Sequence, residues 1–423
     1  MIIINTDIIN QHIVQYLIQM EVCAVNLFKE KLVLLSPAIV LVVALIFCLT
    51  MVPSINPAPK NLPIAIVNED QGVQLPNQQK LNIGKELLKN IKKASSANEG
   101  EAAKVKWIEV NSEDKVIAGF NDRDYYGAII IPKDFSKKQA SLQTANPSVP
   151  EMKIYVNQGM NATASNMASQ MLTQITANIN STTSKQLLAN LEKQGGSITL
   201  QQASLLAAPV STKTIIVNKT GTNSANGNAP VLMFQPIWMA SLLGAVLLFL
   251  ANKKMRFQTK KEKLTRKASQ ILFGALLSLV AGFGTASFAS GLGLNIPDIS
   301  ETALFLAVAS FSFYLMISAV FAWIGFAGMP IFILSLFFGL PLLSMAPEFM
   351  STFYHDWIYS WLPFRFLVDG LRELFYFGGH LSLNEPTIVL LGIGCVSLVV
   401  FLASFLKPDA KADQIKISQP ETI

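Results

Sequence analysis

Charge is scarce in this chain and unevenly placed. Asp, Glu, Lys and Arg make up 14% of its 423 residues, where a soluble domain averages about 25%. With 51% hydrophobic residues, that shortage excludes an ordinary soluble fold. Cysteine is also sparse: Cys48 and Cys395 fall in apolar runs and Cys23 in the amino-terminal segment, which suggests neither a disulfide framework nor a Cys-based metal site. The three histidines, His12, His355 and His380, are too scattered to form a ligand set. No Gly-x-x-x-x-Gly-Lys-Ser/Thr loop occurs, so ATP hydrolysis by that route is excluded. Gly291-Leu292-Gly293 and Gly392-Ile393-Gly394 lack the rest of a dinucleotide fingerprint and read as close helix packing. No Ser/His/Asp arrangement stands out, and no cofactor is expected. Asn161-Ala162-Thr163, Asn180-Ser181-Thr182 and Asn218-Lys219-Thr220 match the glycosylation acceptor pattern, as chance allows in so Asn- and Thr-rich a region.

What is present is a set of long uncharged apolar runs: 32–59, 220–252, 268–297, 302–347 and 386–406. A spanning helix needs about 20 apolar residues. Four runs hold one span each, and the run 302–347 holds two, broken at Gly325-Phe326-Ala327-Gly328-Met329-Pro330. The expected fold is an α-helical membrane protein with six transmembrane helices and an extracytoplasmic α/β domain between helices one and two. The expected spans carry no Asp, Glu, Lys or Arg. Coupled carriers often place ionisable groups there, so this argues against a self-powered secondary transporter.

Residues 253–267 hold eight Lys or Arg and a single acid. Dense basic loops stay in the cytoplasm, and that orients the rest. The net charge of +6 concentrates there, so it is a topology signal and no nucleic-acid partner is expected. Residues 1–30 are expected to form an amphipathic cytoplasmic-face helix, with Ile9, Ile13, Tyr16, Met20, Cys23 and Leu27 on one side. Residues 31–53 are expected to form helix one, a retained signal anchor, and 54–228 the extracytoplasmic domain. Residues 229–423 are expected to hold helices two to six, the basic loop and a cytoplasmic tail. The pattern predicts a multi-pass protein of the cell membrane, bacterial in character, with both termini in the cytoplasm.

Within 54–228 the pattern is mixed α/β. Strands are expected at Ile64–Val67, Val105–Val110, Tyr126–Ile131, Met152–Val156 and Thr214–Val217, with a helix over Leu81–Ile91. Asn161–Gln194 lacks Pro and Gly, but its apolar residues change face, which predicts a broken helix pair. A Gly/Asn/Ser linker, Gly221–Pro230, leads to helix two.

Between helices five and six, Pro363 and Gly378-Gly379 bracket a helix over 363–377. Arg365, Asp369, Arg372 and Glu373 share one face, opposite Leu367, Leu371, Leu374 and Phe375. The spacing allows an Arg365–Asp369 pair that helps seat this outer-leaflet helix at the outer membrane surface, where it dips into protein or into the headgroups of membrane lipids.

The six-span order with its large exterior insertion resembles the permease subunits of type-two ABC exporters, in the branch of the phage-infection-protein group. The motifs carrying the resemblance are Leu62-Pro63-Ile64-Ala65-Ile66-Val67-Asn68-Glu69-Asp70-Gln71-Gly72, Tyr125-Tyr126-Gly127-Ala128-Ile129-Ile130-Ile131-Pro132-Lys133-Asp134-Phe135-Ser136, and Leu362-Pro363-Phe364 followed by Asp369-Gly370-Leu371-Arg372. The resemblance implies a non-enzymatic half-transporter that moves an amphiphilic, lipid-like, drug or peptide substrate outward. It implies a homodimer, or a heterodimer with a similar permease, driven by cytoplasmic ATPase subunits. Their docking surface would be the amino-terminal helix together with Lys253, Lys254, Arg256, Lys260, Lys261, Lys263, Arg266 and Lys267. Pro363, Arg365, Asp369, Arg372 and Glu373 would form the exterior re-entrant element. The exterior region is shorter than is usual in the phage-infection-protein group, which leaves a second class open: a non-transporting scaffold or receptor that binds partners through the exterior domain.

Overall fold

The structure is a computed structural model. It describes residues 59–74, 80–94, 103–142, 144, 146–193, 200–253 and 260–407, with Leu41 and Leu45. The expected amphipathic helix at 1–30, the rest of helix one, Lys254, Arg256 and the tail after Lys407 lie outside the described residues.

The α/β domain is built on a five-stranded sheet. Its strands are β1 (Leu62–Asn68), β4 (Val105–Glu109), β5 (Gly127–Ile131), β6 (Glu151–Asn157) and β7 (Ser211–Val217). The order is β4-β1-β5-β6-β7, with β5 and β6 antiparallel and the other neighbours parallel. A strand covered on both faces reads as a continuous apolar run, and every residue of β5 is buried. Leu62, Ile64, Ile66, Ile129 and Ile154 point to one face, while Ala65, Val67, Ala128, Ile130 and Tyr155 point to the other. Each fully buried Ile or Val contributes about 1.5–3 kcal/mol relative to exposure. A short ribbon, β2 (Val73–Gln74) with β3 (Lys80–Leu81), follows β1. Helices α1 (Ile83–Ala94), α2 (Glu113–Asn121) and α3 (Phe135–Ser141) complete the first half.

The first two motifs quoted above meet at the ends of β1 and β5. Glu69 N donates to Ile131 O at 3.0 Å and Gln71 N to Lys133 O at 3.1 Å. The buried Asp70 carboxylate accepts from Ser136 N at 2.9 Å, from Gly84 N at 3.1 Å and from the Ser136 hydroxyl. One carboxylate thus satisfies donors at the starts of α1 and α3, which would otherwise lack partners.

The expected broken helix over 161–194 is instead one helix, α4 (Ala162–Lys193). Its apolar face changes because the partner changes. Ala164, Ala168 and Leu172 pack into the core beside the sheet; beyond them, Ser184 Oγ donates to Leu206 O at 2.6 Å on α5 (Leu200–Ala207). With no Pro or Gly, nothing stops the backbone. All three acceptor-pattern asparagines are structural. Asn161 Oδ1 accepts from Ala164 N at 3.1 Å, Asn180 exchanges two 2.8 Å bonds with Val210, and Asn218 donates to Asn157 Oδ1 at 3.0 Å.

Among the described residues, four helical stretches are long and apolar enough to cross a membrane: Ala229–Asn252, Glu262–Gly291, Ile299–Ser344 and Glu385–Leu406. They comprise α6 (Ala229–Lys253), α7 (Lys260–Gly291), α8 (Ile299–Ile324), α9 (Met329–Ser344) and α11 (Glu385–Ala403). The third stretch breaks where expected, at Gly325, whose φ of 71° suits glycine. Both ends of the α8–α9 pair lie toward the α/β domain. Asn295 N, before α8, donates to Asn223 O, and Ser344 O, at the end of α9, accepts from Asn161 Nδ2 at 3.2 Å.

Helix α8 is central, packed by α6, α7 and α11. Lipid gives apolar helices no hydrophobic drive to associate, so close packing and a few hydrogen bonds must hold them. A Cβ at Gly274 would overlap Tyr314, whose hydroxyl donates to Gln270 O at 2.9 Å, and Ser241 Oγ lies 3.0 Å from Ser310 Oγ. Of the glycine pairs read as packing sites, only Gly394 closes against another helix, at Ser312; a Cβ on Gly291, Gly293 or Gly392 would meet nothing within 4 Å.

Candidate functional site: a charged cleft between the α/β domain and a short helix

The sequence between α9 and α11 folds into α10 (Pro363–Tyr376). Pro363 sits in its first turn, Gly378 has φ 62°, and Gly379 N closes onto Glu373 O at 3.1 Å. Proline presets the first helical φ, and a left-handed glycine ends the run. Phe364, Leu367, Val368 and Leu371 are buried against the bundle. The Phe364 ring lies 4.6 Å from Phe234, 4.3 Å from Trp238 and 5.9 Å from Phe313, centroid to centroid. Two residues of the third motif thereby acquire physical roles: Phe364 is the anchor, and Gly370 lacks the Cβ that would overlap the Phe305 ring on α8.

The opposite face meets the α/β domain. Arg123, held at φ 64° after α2, pairs with Glu373, and its guanidinium lies 5.3 Å from the centroid of the Phe377 ring. The second Glu373 oxygen accepts from Asn384, which caps α11 by accepting from Thr387 N at 3.1 Å. The segment between α9 and α10 enters the domain core through Ala346 and Phe349. There Tyr126 OH donates to Glu348 Oε2 at 2.9 Å, and Lys60 N donates to Glu348 O at 2.8 Å. Burial, then the Glu348 charge and hydrogen bond, push the Tyr126 hydroxyl well above its ordinary pKa, so it remains a donor. Burial also lowers the Arg123 pKa, against the raising influence of Asp369.

These groups enclose a cleft of about 430 Å³. Five carboxylates line it (Asp122, Glu348, Asp369, Glu373, Glu385) with three guanidiniums (Arg123, Arg365, Arg372). Three positive against five negative charges leave −2 with all ionised. Tyr126, Tyr359 and Phe366 add aromatic surface. Such a lining presents charged and hydrogen-bonding groups.

Four of the five α10 residues singled out from sequence, Arg365, Asp369, Arg372 and Glu373, line the cleft, while Pro363 only starts the helix; the expected Arg365–Asp369 pair is not formed. Asp369 Oδ1 takes Arg372 Nη1 at 3.2 Å instead, and Arg372, 8% exposed, also reaches Leu343 O at 3.4 Å. Arg372 is the more deeply buried of the two arginines, so leaving its charge unpaired would be costly. Arg365 lies over Phe366 and Tyr359, 4.5 and 5.6 Å from their centroids. The charged face thus grips the α/β domain. Sequence reasoning missed Arg123, Tyr126 and Glu348, whose partners lie far along the chain and leave no local pattern; it also missed Asn384, whose capping place before Glu385-Pro386 is a local signal.

The basic stretch is elsewhere. Helix α6 ends at Lys253, and α7 begins at Lys260, so Lys260, Lys261, Lys263, Arg266 and Lys267 are helical. Lys267 Nζ donates to Ser404 Oγ at 2.6 Å and lies 4.0 Å from the centroid of the Phe401 ring. Arg266 Nη2 reaches Ala251 O at 3.3 Å. These two side chains tie α7 to α6 and to the segment after α11.

Residues 32–405 match the family described as ABC-2 family transporter protein. The chain is also 26% identical over 125 residues to "Uncharacterized protein YhgE" of Bacillus subtilis (strain 168). That alignment covers 30% of this chain and 15% of the relative. No solved structure matches. Permeases of the ABC-2 family are multi-pass membrane subunits that work with ATPase subunits. Because the family match runs through the α/β domain and the helical bundle alike, this chain belongs to the ABC-2 family of transporter permeases.

Proposed function

We propose that this chain is the membrane subunit of an ABC exporter, moving an amphiphilic, lipid-like, drug or peptide substrate outward with energy from a separate ATPase. The observation that carries this reading is the family match over residues 32–405, joined to the lack of a phosphate-binding loop in the sequence. In this reading the chain has six spans, both termini are cytoplasmic, and residues 54–228 with α10 lie outside the bacterial cell membrane. Two copies, or one copy and a similar permease, pair in the membrane. The ATPase docks on residues 1–30 and on Lys253, Lys254, Arg256, Lys260, Lys261, Lys263, Arg266 and Lys267. Positive loop charge on the opposite side of the bundle from the α/β domain supports the sidedness.

Copurification from native membranes, paired with deletion of any ATPase gene found beside this one, tests the reading. An ATPase should accompany the chain, and export should stop when it is deleted. Purification without an ATPase, together with export that survives the deletion, overturns it. If no transport is found at all, a scaffold or receptor takes its place.

A further inference from the structure

Residues 353–361 link the segment that enters the α/β core to α10. They form one π-helical turn, Phe353–Ile358, and a 3-10 turn, Tyr359–Trp361. Tyr354, Tyr359 and Leu362 turn inward and join the bundle core. Phe353, Trp357 and Trp361 recur every four residues and point outward, 60%, 74% and 80% exposed. Three large aromatic rings left in water forgo the stabilisation that burial gives. The polar residues among them are already engaged. His355 Nδ1 lies 2.5 Å from Asp356 Oδ1, and Ser360 donates to Asp356 O. No Lys or Arg occurs between 353 and 361, so nothing in the segment calls for an anionic partner.

Its position identifies the partner. The segment stands at the end of the bundle where α11 begins, with Tyr359 sharing the cleft with Glu385 and Pro386, and α7 finishes on that side too, where Asn295 N donates to Asn223 O. Phe288, Leu292 and Leu383, near those helix ends, are 75%, 90% and 73% exposed. Helix α11, with 19 residues, rises about 28 Å, close to the ~30 Å hydrocarbon thickness. A surface beside its first residues therefore stands at headgroup depth. Tryptophan favours that depth, because its ring is apolar and its N–H can reach a lipid carbonyl.

We propose that residues 353–361 lie in the outer-leaflet interface, with Phe353, Trp357 and Trp361 as lipid-facing anchors that set the depth of α10 and of the cleft. The proposal rests on the sidedness given above. A neutral phosphatidylcholine surface suffices, because the anchors carry no charge.

The five tryptophans provide the test in the full-length protein. Single-Trp variants, with the other four changed to Phe, are placed in nanodiscs of phosphatidylcholine brominated either near the top or near the end of an acyl chain. Trp357 and Trp361 should lose most of their emission, more with the shallow bromines. Trp323, 43% exposed at the far end of α8, reports lipid contact of the bundle, and Trp107 on β4 should remain bright. Quenching of Trp323 while Trp357 and Trp361 stay as bright as Trp107 overturns the proposal and leaves membrane insertion standing; a second copy or another protein then covers the patch. Absence of quenching at all three overturns membrane insertion and the proposal together.

Discussion

Arg123 and Glu373 are 250 positions apart in the chain and form an ion pair. The Glu373 carboxylate also takes the Asn384 amide, so the turn after α2, the end of α10 and the start of α11 converge on one side chain. The two charged side chains are 28% and 21% exposed. Loss of either partner should cost on the order of 1–3 kcal/mol, between the small value of an exposed pair and the larger value of a buried one. Arg123→Glu or Glu373→Arg alone should lower the thermal midpoint and open the domain junction to protease. The double exchange should recover much of the loss. Equal destabilisation in the double and single variants would show that the pair does not carry the attachment.

A methyl group at Gly370 is a second probe. A Cβ there would overlap the Phe305 ring, and forcing extra volume into a packed contact typically costs about 1–3 kcal/mol. Gly370→Ala should lower the melting temperature in detergent, and adding Phe305→Leu should restore part of it by freeing space. An unchanged melting temperature for Gly370→Ala would mean that α10 does not pack on α8 as described.

Glu113 links stability to acid. Burial acts to raise its pKa, but hydrogen bonds from Lys153 and Tyr155 and the Lys153 charge outweigh burial, and the pKa falls below 4.5. A carboxylate with a depressed folded-state value stabilises above its unfolded value, and that contribution disappears as pH falls through the folded value. Glu113→Gln should therefore lower the thermal midpoint at neutral pH, and the gap from the parent should close as pH drops below 4.5. A gap that stays constant across that window would show that the ionised carboxylate is not what matters.

The strands were readable because their burial is local in sequence. Leu62–Asn68 and Gly127–Ile131 are apolar runs that end at Asn68 or Pro132, and these stops need no tertiary information. Helix α10 was readable for the same reason, through Pro363 and Gly378. The continuity of α4 was not, since its face follows first the sheet and then α5, a change that mimics a break. The pairing on α10 was equally hidden. Helical spacing permits Asp369 to meet Arg365 or Arg372, and the burial of Arg372 decides between them. The docking of the α/β domain was hidden most completely, because Arg123, Tyr126 and Asn161 meet partners about two hundred positions away.

Phe364 and Glu373 stand near opposite ends of α10, a stiff rod of 14 residues, about 21 Å long. One end is wedged among rings of α6 and α8, and the other is held by the α/β domain and by the cap of α11. Between those ends Gly370 and Leu371 also pack on the bundle, so the rod is clamped along its length. The helices and the α/β domain are in this way joined by a stiff strut.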